Sequence, residues 1–115
     1  MNDGGLSRLV GETQRLSGLI DEAVSALAEA SRNVAHAEHA YRKGKAAAWA
    51  TTPTDRLAAW RAADVDAATA DLRLARDLAD AARWTAAEAL RSRRAQLDAL
   101  RSVLSVTRSE MELAR

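Results

Sequence analysis

A single proline divides this chain. Pro53 is the only one among 115 residues, and on either side of it apolar residues recur at helical spacing. Its ring and missing N–H stop a helix arriving from the N-terminal side. Thr52-Pro53-Thr54-Asp55 also has the residue types of a helix start, with Thr52 as N-cap, Pro53 as first helical residue and Asp55 as the acid of a capping box. The expectation is one long helix over about 6–50, a turn at about 50–53 and a second helix from about 53 to 114. Residues 1–5, ending in Gly4-Gly5, are expected to be disordered.

Composition sets the kind of packing. Hydrophobic residues make up 48% of the chain, but aromatics only 3%, and there is no Phe. Alanine buries little area, so a compact globule lacks driving force, whereas Ala, Leu, Arg and Glu all favour helix. In the first helix Leu16, Ile20, Ala23, Leu27, Ala30, Val34, Ala37, Tyr41, Gly44 and Ala48 alternate steps of four and three. That is a heptad seam, read by another helix lying lengthwise. Gly44 marks either a close crossing or a tolerated weak point; Gly11 and Gly18 weaken the start of the helix, with a break expected near Ser17-Gly18. The fold expected is all-α: a long antiparallel helical hairpin, coiled-coil-like, assembling into an oligomeric helical bundle.

The second helix carries two registers. Ala68, Leu72, Ala75, Ala79, Ala82 and Ala86 form one, while Leu90, Leu97, Leu104 and Met111 repeat every seven residues with Leu100 interleaved. The change of phase predicts a stutter. Because this helix is the longer, its leucine stripe is expected to be exposed in a monomer and to form an oligomer interface. Arg94, Arg101, Arg108 and Arg115 repeat beside it, either to meet acidic bodies of neighbouring subunits or to track phosphates.

The near-neutral total of +1 conceals segregated charge. Between residues 41 and 61, Arg42, Lys43, Lys45, Arg56 and Arg61 face Asp55 alone, interleaved with Tyr41, Trp49 and Trp60. Cations for phosphates and flat rings for unstacked bases are what single-stranded nucleic acid requires. On the competing reading Trp49 and Trp60 staple the hairpin end, and Arg42, Lys43 and Lys45 complement a helix C-terminal dipole.

Chemistry-bearing motifs are scarce. His36 and His39 lack further ligands at metal-binding spacing, Gly44-Lys45 lacks the spacing of a phosphate loop, and no serine has a visible base and orienting partner. Neither an enzyme, a cofactor, a bound metal nor a small-molecule substrate is expected. With no Cys, no basic-apolar leader and no membrane-length apolar run, a cytoplasmic location is expected.

The order of features resembles the UvsY-like recombination mediators of T-even phages and their phage and prophage relatives. The similar parts are Tyr41-Arg42-Lys43-Gly44-Lys45 before a central interruption, then a long helix with Leu90-Arg91-Ser92-Arg93 and a late Met111, within residues 35–113. The resemblance implies a helical oligomer that binds single-stranded DNA and helps load a recombinase, with Arg42, Lys43 and Lys45 contacting DNA. A coiled-coil adaptor or phage host-interaction protein, binding another protein through the leucine stripe, is the alternative. The small secreted hairpins of WXG type rank lower, since Trp49-Ala50-Thr51 lacks their glycine.

Overall fold

The computed structural model describes residues 3–114, and these are helical apart from the 52–57 connection and single-residue interruptions. The order is α1 (Asp3–Thr51), α2 (Ala58–Ala68) and α3 (Ala70–Leu113). Helix α1 starts at Asp3, so Asp3, Gly4 and Gly5 are helical where disorder was expected; Met1 and Asn2 lie outside the described residues. The break expected near Gly18 does not occur either. Thr13 and Ser17 hydroxyls donate to the Leu9 and Thr13 carbonyls at 2.9 and 3.0 Å, and the half-buried seam extends back through Thr13 and Leu9 to Leu6. Burial along this stripe outweighs the propensity cost of two glycines.

Pro53 ends α1 as its chemistry requires, the last helical-type bond running from Thr52 N–H to Ala48 O at 3.1 Å. It does not start the next helix. Residues 53–60 are all exposed, so a helix begun at Pro53 would bury nothing in its first turns. Instead α2 begins at Ala58 behind Leu57, which has no side-chain cap; its carbonyl accepts from the N–H groups of Trp60 and Arg61 at 3.0 Å. Thr52 is not the N-cap, and its buried hydroxyl has no hydrogen-bond partner.

The expected single second helix is interrupted at Thr69, which is 2% exposed. There φ is −110° and ψ 9°, and both the N–H and the hydroxyl of Thr69 donate to Val65 O, at 3.0 and 2.7 Å. Such back-bonding competes with regular helix geometry.

The chain forms two compact units. One comprises residues through Leu27 and from Ala86 onward; the other is Ala28–Thr85. Within each, α1 and α3 pack antiparallel. In the first unit Leu16 shares a groove with Gln96, Ala99 and Leu100, while the earlier Thr13 shares one with the later Leu104 and Arg108. In the second, Gly44 meets Leu72, and Glu38 lies 3.9 Å from Arg76. Val65 of α2, 1% exposed, anchors the short helix to this second unit.

Two expectations about α3 are corrected here. The stutter is absent: half-buried or buried positions at Leu72, Arg76 and Ala79, and again at Ala86, Leu90, Arg93, Leu97, Leu100, Leu104, Thr107 and Met111, fall on one heptad phase, with residues 80–85 between them all exposed. The position after Ala75 belongs to the seam, because the arginine at 76 lays its apolar stem there while Ala75 and Ala82 face outward. Nor are Leu90, Leu97 and Leu104 exposed. They are buried inside the first unit against α1, which reaches back far enough to cover them, while Leu100 and Met111 are half-buried.

Candidate nucleic-acid interface

The basic and aromatic residues of 41–61 all fall in the second unit, on the last turns of α1, the 52–57 connection and the first turn of α2. Two cation–ring contacts link them, one of which crosses the turn. The Arg61 guanidinium from α2 lies 5.4 Å from the ring centroid of Trp49 on α1, and that of Arg56 lies 5.2 Å from the ring of its neighbour Trp60. These are stacking distances for cation and ring.

The five cations are not equivalent. Arg42 donates to Glu38 at 3.0 Å, and Arg56 is ion-paired with Asp64. Arg61 is half-buried with its Nε shielded from solvent and unbonded, so the indole of Trp49 holds it. Lys43 and Lys45 are exposed, and among the described residues no carboxylate pairs with either; Lys45 Nζ lies 5.8 Å from the Tyr41 ring centroid. None of the cations of α1 sits in its last turn, which reads Ala48-Trp49-Ala50-Thr51. A helix-dipole role therefore does not account for Arg42, Lys43 and Lys45, because that effect fades within one turn.

The rings differ in the same way. Trp60 is 60% exposed, whereas Trp49, at 37%, is partly covered by Arg61. Tyr41 is seam-facing and, besides Lys45, receives a second cation not expected from sequence: the Arg76 guanidinium of α3, 4.4 Å from its centroid. Burial works against the charge on Arg76, but a hydrogen bond and charge from Asp77, with Glu38 and Tyr41, raise its pKa further above the ordinary arginine range. Arg73 likewise turns to Asp66 at 3.7 Å, and the i,i+3 pair Arg83–Asp80 forms at 2.7 Å.

Sequence reading passed over Trp84, which stands 68% exposed on α3. Its signal was a tryptophan outside both expected registers. On the C-terminal part of α3, Arg94, Arg101 and Arg108 are exposed without ion-pair partners among the described residues; Arg115 lies outside them.

Compared with protein-family models, curated proteins and solved structures, the chain matches none. The site must therefore be read from its own chemistry. Among the described residues no three His, Asp or Glu side chains are grouped to hold a metal, and no helix is long and apolar enough to cross a membrane.

Proposed function

We propose that this chain is a non-enzymatic protein that binds single-stranded DNA through the end of its second unit, acting in the cytoplasm as a mediator-type factor in phage or prophage recombination. One observation carries the reading: Trp60 keeps an open ring beside the Arg56 guanidinium while Lys43 and Lys45 stand exposed with no acid paired to either among the described residues. Phosphates would be met by Lys43 and Lys45 first. Arg42 and Arg56 would have to exchange Glu38 and Asp64 for phosphate, and Trp60 is the ring placed to stack on a base. Arg61 and Trp49 serve chiefly to hold α2 against α1.

Fluorescence polarisation with labelled oligo-dT at two salt concentrations tests this. Affinity should fall steeply with salt, Lys43→Glu with Lys45→Glu should abolish binding, and Trp60→Ala should weaken it by about 1–3 kcal/mol. Salt-independent binding, or none at low salt, rejects the proposal.

A second reading, a helical adaptor for another protein, is favoured by the exposed Leu74, Leu78 and Trp84 of α3 rather than by the leucines now seen to be buried. It predicts no affinity for oligo-dT.

A further inference from the structure

The arginines of α3 divide into two kinds. Arg73, Arg76, Arg83 and Arg91 are each ion-paired within the chain, to Asp66, Asp77, Asp80 and Glu88. Arg93 is half-buried beside Leu16 and Leu100. Arg94, Arg101 and Arg108 stay exposed, and among the described residues no carboxylate pairs with any of them, although Asp98 is one turn from the first two. They follow at intervals of seven within the first unit, so they share one helix face over about 20 Å.

Beside the last two lies a groove of about 400 Å³, lined by first-unit residues alone: Arg101, Leu104, Ser105, Arg108 and Ser109, with Thr13 across the seam and Glu112 at the far end. Leu104, 8% exposed, is its sole apolar lining residue. Thr13 donates its hydroxyl to the Leu9 carbonyl at 2.9 Å, and Ser102 of α3 donates to the Asp98 carbonyl at 3.1 Å. The hydroxyls of Ser105 and Ser109 make no hydrogen bond among the described residues. Two unpaired guanidiniums with two free hydroxyls between them are donors for an oxyanion.

The lining also bears on what carries that oxyanion. A protein helix docks by burying apolar anchors, and this groove offers it only a leucine already covered. A single strand gains from rings on which its unstacked bases lie. Tyr41, Trp49, Trp60 and Trp84 are all the Tyr and Trp of a chain without Phe, and every one belongs to the second unit. What remains is attraction to phosphate, greatest where its charge is densest: duplex DNA carries about one charge per 1.7 Å of its axis.

We infer that the first unit binds duplex DNA, its groove receiving the phosphate backbone between Arg101 and Arg108, with Arg94 meeting the duplex further along the same face. The guanidiniums take phosphate oxygens, and Ser105 and Ser109 donate to those left over. Base sequence goes unread, because phosphate contacts position a duplex without specifying it. Glu112 repels the phosphates and marks the end of the contact. The site shares no residue with the single-strand contact proposed for the second unit, so either can fail alone.

Fluorescence polarisation with a labelled duplex of about 20 base pairs, over a series of salt concentrations, tests it. For the natural chain the logarithm of affinity should fall linearly with that of salt. Arg101→Gln with Arg108→Gln should reduce the slope by about 1.8, at about 0.9 for each cation lost, whereas Arg101→Lys with Arg108→Lys should keep it. Glu112→Gln should tighten duplex binding about threefold, the effect of removing one repelling charge roughly 6 Å away in water; a loss of structure cannot produce that gain. The glutamine pair should leave any oligo-dT affinity of the natural chain unchanged. No duplex binding at low salt, an unaltered slope in the glutamine pair, a lysine pair as flat as the glutamine pair, no tightening in Glu112→Gln, or equal loss of duplex and oligo-dT affinity would each overturn the inference.

Discussion

Gly44 of α1 faces Leu72 of α3 so closely that a methyl group on Gly44 would collide with Cδ1 of Leu72, with Cγ 3.8 Å away. Of the two meanings its place in the seam allowed, close crossing is the one realised. Gly11 and Gly18, by contrast, have nothing within 4 Å of an added Cβ. Gly11→Ala and Gly18→Ala should therefore each stabilise the protein by about 0.5–1 kcal/mol, the ordinary helix-propensity gain. Gly44→Ala makes the same gain but must turn Leu72 aside, so its net effect should lie near zero. Gly44→Val should cost about 1–3 kcal/mol through overpacking. Urea melts followed by circular dichroism decide it; equal gains at all three positions would contradict the close crossing.

Leu97 is the clearest probe of where the leucine stripe is buried. At 7% exposure it belongs to the inside of the first unit, so Leu97→Ala should lower stability by about 2–4 kcal/mol. Leu74→Ala, on the outer face of the same helix, should change monomer stability by less than about 0.5 kcal/mol. Measuring both well below any dimerisation concentration separates folding from association. Were Leu97 an intersubunit residue, the substitution would shift sedimentation and leave the dilute melt unchanged.

The seam of α1 was legible because its residues are apolar or small at each step from Leu16 to Ala48, so periodicity alone located it. In α3 the same rule misled. Ala75 looks like a seam residue and Arg76 does not, yet the stem of Arg76 packs and Ala75 faces water. One misplaced step created an apparent stutter; the idea of a leucine stripe in need of a partner came instead from counting about 53–114 as one helix longer than α1, whereas α3 has 44 residues and α1 has 49. Pro53 stopped α1 as expected, because that effect is local to its ring; where α2 begins depends on burying Val65, which is tertiary. The basic composition of 41–61 was likewise visible, but not that Arg42 would turn to Glu38, Arg56 to Asp64 and Arg61 to Trp49.

Arg76 should behave unlike a surface arginine. Its side chain is 29% exposed, lies 4.4 Å over Tyr41 and reaches Asp77 at 3.2 Å. Loss of ring contact and stem packing together should make Arg76→Ala cost about 1–2 kcal/mol. Arg76→Lys should recover only part, since an ammonium cannot stack as a plane. The comparison is Arg83→Ala, whose side chain is 50% exposed and pairs with Asp80, expected within about 0.5 kcal/mol of the natural chain. A Tyr41→Leu, Arg76→Ala double-mutant cycle with no coupling would show that the ring contact contributes nothing.

Glu12 gives a pH-dependent signature with a definite sign. Arg15, one turn on, donates a hydrogen bond from Nε at 3.0 Å, and this bond, aided by the arginine's charge, holds the Glu12 carboxyl below its ordinary value of 4.5 despite slight desolvation. A carboxyl depressed in the folded state stabilises the fold above its unfolded pKa, and that contribution is lost as pH falls through the folded pKa. The stability difference between the natural chain and Arg15→Gln should thus be constant near neutrality, shrink below about pH 4.5, and vanish at strongly acid pH. It should also diminish in added salt, because both groups face solvent. Carboxyl NMR checks the cause directly: in Arg15→Gln the Glu12 midpoint should move up to the ordinary glutamate value, and an unmoved midpoint would mean that the pair does not form in solution.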